Sequence, residues 1–201
     1  MAIRPYPSLA GRTLRLEPFE RAHLEPLYAL ALSAPDAFRY TSTPTTPDQK
    51  ERYFAKVLAD QAAGRAYPFT MLEGGRIVGT TRLTDLHPEY RNAELGYTWI
   101  ALERQGSAVN VESKLLMLGF AFEALGLIRV QLNVDSRNAR SQASIRALGA
   151  TFEGTLRSHQ IMKDGFVRDT MVFSILEREW PELKPRLEAR LEQKLAGRTA
   201  E

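Results

Sequence analysis

The sequence predicts a mixed α+β fold in which helices cover both faces of one sheet. Apolar residues recur with strand and helix periods in the predicted order β-α-α-β-β-β-α-β-α-β-β-α. Runs of antiparallel strands separated by helices are typical of this class. One helix, over residues 111–125, joins two strands directly, and this connection favours a parallel pairing between them. We therefore expect one parallel contact in an otherwise antiparallel sheet.

The first third of the chain is predicted to hold one strand and two helices. Residues 13–17 alternate Leu14 and Leu16 with polar neighbours, as in a half-buried strand. The next helix is predicted from apolar residues at helical spacing, namely Leu24, Leu27, Tyr28 and Ala31. A second helix begins with Thr46 as N-cap and Pro47 at its first position.

Strand signals dominate the middle of the chain. Residues 67–72 and 76–84 flank a Glu-Gly-Gly turn at 73–75, so they are predicted to form a hairpin. Another strand covers residues 93–102. A helix is predicted next, from apolar residues at helical spacing, and Gly126 ends it. The apolar residues are Val111, Leu115, Leu118, Phe122 and Leu125.

The last third combines strands with one short and one long helix. Residues 127–134 are predicted as a strand buried on both faces, and Asn138 caps a helix that ends at Gly149. Residues 151–162 and 166–175 form a second hairpin. The final helix carries an apolar stripe, typical of core or dimer packing, in Trp180, Leu183, Leu187, Leu191 and Leu195.

Composition excludes several functional classes. The 201 residues are 44% hydrophobic and 25% charged, which suits one sizeable core. Without cysteine there is no thiolate nucleophile, disulfide or thiolate metal site. The formal net charge is +3 with no long basic run, so direct nucleic-acid binding is not expected. No apolar stretch of about 18 residues and no export signal is present, so we expect a cytoplasmic protein without membrane contact.

The segment most informative about function connects the strand at 93–102 to the helix that follows. Six residues, Gln105 to Asn110, join the two, and most are small or polar. Small side chains let a ligand approach the main chain, and the first helical turn offers unpaired N–H groups. With the helix dipole, these groups suit a phosphate. A purely structural connection is the alternative, and neither a Walker loop nor a GxGxxG fingerprint is present.

This segment resembles motif A of the GNAT superfamily of N-acetyltransferases, whose pyrophosphate loop follows the pattern Gln/Arg-x-x-Gly-x-Gly/Ala. Gln105 matches the pattern, whereas Ala108 stands in place of its Gly and Asn110 in place of its final Gly or Ala. Residues 94–100 and 129–132 resemble the fourth and fifth strands of the family. Five later segments resemble motif B of the family and the parts that follow it, namely residues 137–141, 148–150, 152–157, 164–169 and 179–180. The resemblance spans most of residues 10–182 and is closest to the branch of ribosomal-protein N-terminal acetyltransferases.

The resemblance implies a GNAT-like twisted sheet, mostly antiparallel, that splays between strands four and five to admit the pantetheine arm of acetyl-CoA. The main chain of residues 98–100 would pair with the pantetheine, and an N–H near residue 100 would polarise the thioester carbonyl. The main chain of 106–110 would hold the pyrophosphate. The cofactor-binding residues expected on this basis are Thr98, Trp99, Ile100, Gln105, Gly106, Ser107, Ala108, Val109, Asn110, Asn138 and Ser141. A plain helix cap is the alternative role of Asn138.

Acetyl transfer requires a base that takes a proton from the amine and an acid that protonates the leaving thiolate. Many family members place a tyrosine acid seven residues after the asparagine, where this chain has Ile145. We therefore take Ser141 as the candidate acid, with helix capping as its alternative role. Glu94 is the candidate base if burial raises its pKa, and a salt bridge to an arginine is the alternative.

The expected activity is acetyl transfer from acetyl-CoA to a primary amine, with a protein N-terminal α-amine as the preferred acceptor. An α-amine titrates near about 8 and a lysine amine near about 10.4, so more of the α-amine is neutral at pH 7. A small-molecule amine, such as a polyamine, amino acid or antibiotic, is the alternative acceptor. A non-catalytic acyl-CoA-binding module of the same fold is the alternative class of protein.

The remaining expectations concern metal and domain organisation. No metal site is expected, because His23, His87 and His159 lack ligand spacing. The N-acetyltransferase domain is expected over residues 1–182, and a C-terminal amphipathic helix or tail over 183–201. The apolar stripe of that helix makes a homodimer the favoured assembly.

Overall fold

The computed structural model describes residues 6–198, which form one eight-stranded sheet with helices on both faces. The strands are β1 (Leu9–Ala10), β2 (Leu14–Pro18), β3 (Tyr67–Glu73), β4 (Arg76–His87), β5 (Asn92–Ile100), β6 (Arg129–Asp135), β7 (Thr151–Ile161) and β8 (Val167–Leu176). The α-helices are α1 (Leu24–Ser33), α2 (Pro47–Ala63), α3 (Ala108–Gly119), α4 (Ala139–Arg146) and α5 (Trp180–Arg198).

The sheet has the strand order β1-β2-β3-β4-β5-β6-β8-β7. Every neighbouring pair is antiparallel except β5 and β6, which are parallel and joined by α3. The predicted mixed α+β class is confirmed, as is the single parallel contact. The short strand β1 was not predicted, since two residues carry too little periodicity to indicate a strand.

Strands β5 and β6 separate after a short contact. Only Asn92–Glu94 of β5 pairs with Arg129–Gln131 of β6. Beyond that point β5 continues along β4 as far as Ile100, while β6 continues along β8 as far as Asp135. A wedge-shaped gap therefore opens between the two parallel strands, in agreement with the splay that the family resemblance implies.

Two apolar cores hold the helices against the sheet. The larger core lies between one face of the sheet and α3, α4 and α5, and includes Leu83, Met117 and Phe173. The smaller core joins the other face to α1 and α2 through Phe54 and Trp99, among others. Each fully buried Leu or Phe side chain contributes about 1.5–3 kcal/mol, so both layers are firmly attached.

Local sequence signals set several boundaries as predicted. The Oγ1 atom of Thr46 accepts a hydrogen bond from the Gln49 N–H at 3.3 Å and so caps α2. Gly126 and Gly149, with φ of 62° and 87°, adopt the left-handed conformation after the helices that they end. Both predicted hairpins form, β3–β4 and β7–β8.

Two expectations need correction. Strand β6 is not buried on both faces, because only Val130, Leu132 and Val134 point into the larger core. The polar residues that alternate with them, Gln131, Asn133 and Asp135, line the cleft. Helix α3 begins at Ala108 rather than near Val111, and its last turn, Phe120–Ala124, is π-helical. The first correction matters for function, since it places polar side chains of β6 beside those of β5.

Helix α5 packs its leucine stripe inside the chain itself. Leu183 and Leu187 belong to the larger core, and Leu191 contacts Ala108 and Val111 of α3. This contact brings α5 next to the loop that precedes α3. In the described part of the chain, no helix combines the length and apolar character needed to cross a membrane.

Candidate active site

A cleft with a volume of about 850 Å³ occupies the gap between β5 and β6. On one side of the sheet it is bounded by the start of α3 and by α4, and on the other by Tyr53 of α2 and residues 40–43. The gap thus connects the two faces of the sheet. A long, narrow substrate entering beside α3 has access to a second substrate on the side of α1 and α2.

The loop before α3 presents main-chain N–H groups to the cleft. Ser107 is the N-cap: its hydroxyl accepts from the Val109 N–H at 3.2 Å and donates to the Arg104 carbonyl at 2.7 Å. Gly106 has a φ of 81°, and no atom lies within 4 Å of the position that a side chain there would take. The approach to this main chain is therefore open, as an anion site at a helix N-terminus requires.

Two of the predicted loop residues direct their side chains away from the cleft. Ala108 packs between α3 and α5, and Val109 packs into the larger core. Ala108 begins the helix without a positive φ, so replacing the glycine of the family pattern causes no backbone strain there. Of their main-chain N–H groups, that of Ala108 is a candidate for contact with a phosphate, whereas that of Val109 already donates to the Ser107 hydroxyl.

Three cationic side chains surround this loop and line the cleft. Arg140 donates to the Gln105 side chain, Lys194 to the Gly106 carbonyl, and Arg190 to the Ala147 carbonyl at 2.7 Å. None of the three forms an ion pair with a carboxylate within residues 6–198. Their charge is therefore available to an anion at the start of α3.

The predicted pantetheine strand, residues 98–100, has two residues at the open edge. The Ala101 N–H donates to the Val78 carbonyl at 2.8 Å, so alternation along β5 turns Thr98 and Ile100 toward the gap and Trp99 toward β4. Gln105 Nε2 donates to the Ile100 carbonyl at 3.1 Å. The main-chain N–H groups of Thr98 and Ile100 remain the candidates for contact with the pantetheine or the thioester.

Helix α4 brings two predicted residues to the cleft. The Oδ1 atom of Asn138 accepts from the Ser141 N–H at 3.1 Å, so Asn138 caps the helix. The Ser141 hydroxyl makes no hydrogen bond within the described residues and lines the cleft. Asn110 Nδ2 donates to the Ser144 hydroxyl at 2.9 Å and ties α3 to α4. Ile145 is buried in the larger core.

Glu94 lies at the narrow end of the gap, on the face covered by α1 and α2. Burial, and then the negative charge of Asp85, raises its pKa to about 6. A hydrogen bond of 2.7 Å from Asn133 Nδ2, and the charges of Arg168 and Arg82, act in the opposite direction. No ion pair to Glu94 forms within 4.0 Å in residues 6–198, so the salt-bridge alternative is not realised there.

The main chain around Glu94 is shaped to leave room for its carboxylate. A side chain at Gly96 would place its first carbon 2.8 Å from Glu94 Oε1, so a larger residue would displace the carboxylate. The next residue, Tyr97, has a φ of 51° where the β4–β5 register shifts. A bulge of this kind is common next to functional sites and redirects the side chains that follow it.

Two buried arginines near Glu94 were not predicted from the sequence. Arg82 and Arg168 are only 4% and 8% exposed, and each has a buried Nε without a hydrogen-bond partner in the described residues. The Arg82 guanidinium lies 3.6 Å from the centre of the Tyr97 ring. Arginines are ordinarily surface residues, and the sequence gives no signal that these two are buried.

Lys114 is a third buried cation that the sequence analysis missed. It lies on α3, lines the cleft and donates a hydrogen bond of 2.7 Å to the Thr98 hydroxyl. Burial lowers the pKa of Lys114 to about 7, and no carboxylate forms an ion pair with it in the described residues. The helical pattern itself marks this position, since Val111 and Leu118 of the same face are buried.

Lys114→Met is expected to stabilise the protein at pH 7 by about 4 kcal/mol, or ~8–16 °C in Tm. Between pH 7 and 10.5 the folded protein holds fewer protons than the unfolded chain, so its stability rises with pH across this range. The variant should lose that rise, which thermal unfolding from pH 6.5 to 10 measures. Lys184→Met, at an exposed ion pair, is the control and should keep the wild-type profile. An unchanged slope in Lys114→Met would contradict a neutral, buried amine.

The histidines are dispersed. His23 and His159 each place Nδ1 about 3 Å from a threonine hydroxyl, at 2.9 Å and 3.0 Å. His87 lies 3.7 Å from Glu89 on the surface. Within residues 6–198, no group of three or more His, Cys, Asp or Glu side chains is arranged to hold a metal ion.

The comparisons with known proteins decide the family. The model of the acetyltransferase (GNAT) domain matches residues 13–151, more than half of the chain. The chain belongs to the GNAT acetyltransferase family. It is accordingly an N-acetyltransferase that depends on acetyl-CoA, and the open loop before α3 and the gap beyond it fit this cosubstrate.

Individual relatives of this GNAT acetyltransferase support the same assignment. The solved structure of a "putative acetyltransferase" from T. thermophilus is 37% identical, with a TM-score of 0.82 over 94% of this chain and 100% of that one. "Putative ribosomal N-acetyltransferase YdaF" of Bacillus subtilis is 33% identical over 55% of this chain but only 59% of its own length. Spermidine N(1)-acetyltransferase of Escherichia coli is 24% identical over 85% of this chain and 90% of its own.

Proposed function

We propose that this GNAT acetyltransferase transfers the acetyl group of acetyl-CoA to the α-amine of a protein N-terminus. The observation that carries the proposal is Glu94, whose pKa of about 6 suits a base at neutral pH and whose carboxylate faces the gap between β5 and β6. A ribosomal name among the relatives is in keeping with this acceptor.

The loop before α3 would bind the diphosphate of the cosubstrate. The main-chain N–H groups of 106–110 that have no partner in the loop itself, those of Ala108 and Asn110 among them, would supply the donors, since the N–H groups of Ser107 and Val109 are already bonded. Three cationic side chains would supply positive charge, namely Arg140, Arg190 and Lys194. The N–H groups of Thr98 and Ile100 would bind the pantetheine and polarise the thioester carbonyl. Such donors act on the charge that develops in the transition state.

Glu94 would take the proton that the amine loses as it attacks the thioester carbon. At pH 7 its carboxylate is mostly ionised, because the pKa lies about one unit below. An α-amine with a pKa near about 8 delivers its proton to such a base more readily than a lysine amine near about 10.4. This difference favours an N-terminal amine over a lysine side chain.

Ser141 would stabilise the departing thiolate through a hydrogen bond from its hydroxyl, and the thiolate would then take its proton from solvent. Ser141→Ala is expected to lower kcat about 10-fold or more, with the Kd for CoA unchanged. The alanine keeps the helix cap, since Asn138 accepts from the main-chain N–H of residue 141 rather than from the hydroxyl. Stopped-flow thiol release and calorimetric CoA binding measure the two quantities, with Ser33→Ala on α1 as the control. An unchanged kcat removes Ser141 from the mechanism.

The test of the proposed function is thiol release from acetyl-CoA with a panel of amines. The panel contains a peptide with a free N-terminus, the same peptide with a blocked N-terminus and a free lysine, and spermidine. We expect the highest kcat/KM for the free N-terminus. A higher value for spermidine would favour a small-molecule acceptor, and a rise in Tm with CoA but no thiol release would favour a binding module.

A further inference from the structure

The acceptor side of the cleft contains two buried guanidinium groups without a hydrogen-bond or ion-pair partner in the described residues. The guanidinium groups of Arg82 and Arg168 donate no side-chain hydrogen bond and form no ion pair within 4.0 Å to any residue in the range 6–198. Buried charged groups in folded proteins are almost always paired, because desolvation without a partner is costly. A buried donor without a partner therefore calls for an explanation, and a missing ligand is one that the position of Arg168 allows.

The two arginines differ in their access to the cleft. The Arg82 guanidinium is covered by aromatic rings, at 3.6 Å from the centre of Tyr97 and 5.0 Å from that of Tyr53, which satisfies a cation in part. Arg168 has no ring contact of this kind in the described residues, and it lines the cleft itself. Arg168 is thus the group that a bound substrate can reach.

The nearby carboxylates leave Arg168 available. Asp135 is held by Arg137, which donates to both of its oxygens at 3.0 Å and 2.7 Å. Glu94 interacts with Arg168 through charge but not through an ion pair or hydrogen bond, and its own hydrogen bond comes from Asn133. The cleft therefore holds an available cation close to the carboxylate that would receive the amine.

We propose that the acceptor carries a carboxylate near its amine, and that Arg168 binds this carboxylate while Glu94 faces the amine. The inference rests on the proposed function, since it requires transfer to an amine, and it names the chemical class of the acceptor. A zwitterionic molecule pairs its two charges with Glu94 and Arg168. A polycation such as spermidine would place its other positively charged amines near Arg82 and Arg168, and these charges would repel each other.

Two kinds of acceptor molecule could supply a carboxylate near the amine. A free α-amino acid brings its main-chain carboxylate, and a protein N-terminus brings the side chain of Asp or Glu in its first residues. Both offer a planar pair of oxygens that the guanidinium fork binds through two parallel hydrogen bonds. The two sources differ in whether the amine is followed by a peptide bond, so matched acceptors separate them.

The first experiment compares carboxylates with their neutral amides on the wild-type enzyme. One pair consists of peptides that begin with Asp or Asn, and the other of an amino acid and its amide, all measured above the pKa of the amines. We expect kcat/KM to be about 10- to 100-fold higher for the carboxylate of one pair, mainly through KM, as for a charge-assisted hydrogen bond. The pair that shows the preference identifies the source.

The second experiment removes the guanidinium. Arg168→Gln should abolish the carboxylate preference without changing the KM for acetyl-CoA, and Arg168→Lys should restore part of the preference because it keeps the charge. Arg157→Gln, exposed on β7, is the control and should keep the full preference. A purely structural role of Arg168 would lower the rates on carboxylate and amide alike.

Three results overturn the inference. The first is an equal kcat/KM of the wild type for the carboxylate and the amide of each pair, a result that holds even if Arg168→Gln fails to fold. The second is a preference that survives Arg168→Gln. In both cases transfer to amines still occurs, and the proposed function stands. Absence of transfer to every amine overturns the proposed function together with this inference.

Discussion

Glu94→Gln is expected to lower kcat by about 100- to 10,000-fold, the range that a positioned general base contributes. The amide is the same size as the carboxylate and can still accept the hydrogen bond from Asn133, so the geometry of the cleft is preserved. It has no basicity, and the amine would then lose its proton to water alone. Steady-state thiol release with a peptide acceptor measures the effect.

The pH profile separates the base from the amine. For the wild type, kcat/KM should bend near pH 6, where Glu94 loses its proton, and again at the pKa of the acceptor amine. In Glu94→Gln only the second bend should remain. Glu182→Gln, on the exposed side of α5, is the control and should keep both bends. A bend near pH 6 that persists in Glu94→Gln would show that another group titrates there.

Loss of activity in this variant should come without loss of stability. The folded pKa of Glu94, about 6, lies above its ordinary value of 4.5, so the folded protein holds more protons than the unfolded chain between these pH values. Stability therefore falls as pH rises from 4.5 to 6, and the penalty is complete above pH 6. The neutral glutamine avoids it, so the variant should be more stable at pH 7 by ~1–2 kcal/mol. Thermal unfolding checks this sign.

Local signals explain why most of the fold was predictable. The cap at Thr46, the glycines after α3 and α4, and the two hairpin turns depend on residues close in sequence. The parallel contact followed from one rule of connection, since a helix lies between the strands it joins. The prediction that β6 is buried on both faces was wrong, because its polar residues were expected to be covered by other elements but line the gap instead.

The bulge at Tyr97 explains why the arrangement of β5 was not predictable. In a regular strand, Leu95 and Trp99 would point to the same face, since they are four residues apart. In the structure Leu95 lies in the larger core and Trp99 in the smaller one. The register shift between β4 and β5 therefore reverses the faces beyond Tyr97, and it brings Thr98 to Lys114. Nothing in the alternation of side chains indicates this reversal.

The burial of the two arginines was unpredictable for a different reason. Glu94 and the loop before α3 were found because a carboxylate and small residues stand in a segment that resembles a known motif. Arg82, Lys114 and Arg168 belong to a strand, a helix and a hairpin with ordinary charge patterns, and they lie far apart in the sequence. For Lys114 the helical spacing from Val111 and Leu118 was a signal of burial, whereas the burial of Arg82 and Arg168 depends on how distant elements pack.

Ser107→Asp is expected to weaken CoA binding by at least about 100-fold. The change adds a negative charge where the diphosphate would approach the first turn of α3, and two unit charges 4 Å apart interact by about 4 kcal/mol at an effective dielectric of 20. Aspartate is as good an N-cap as serine, so the helix should keep its start. Calorimetric titration with CoA measures the loss, and circular dichroism checks the fold.

Ser107→Asn is the matched control, because asparagine has nearly the shape of aspartate and caps helices equally well but carries no charge. It should bind CoA within a few-fold of the wild type. The ratio of the two dissociation constants then reports charge alone, and it should shrink at high salt as the repulsion is screened. Equal affinity of the Asp and Asn variants would mean that the diphosphate binds away from Ser107. The start of α3, with Arg140 and Lys194 around it, would then serve another purpose.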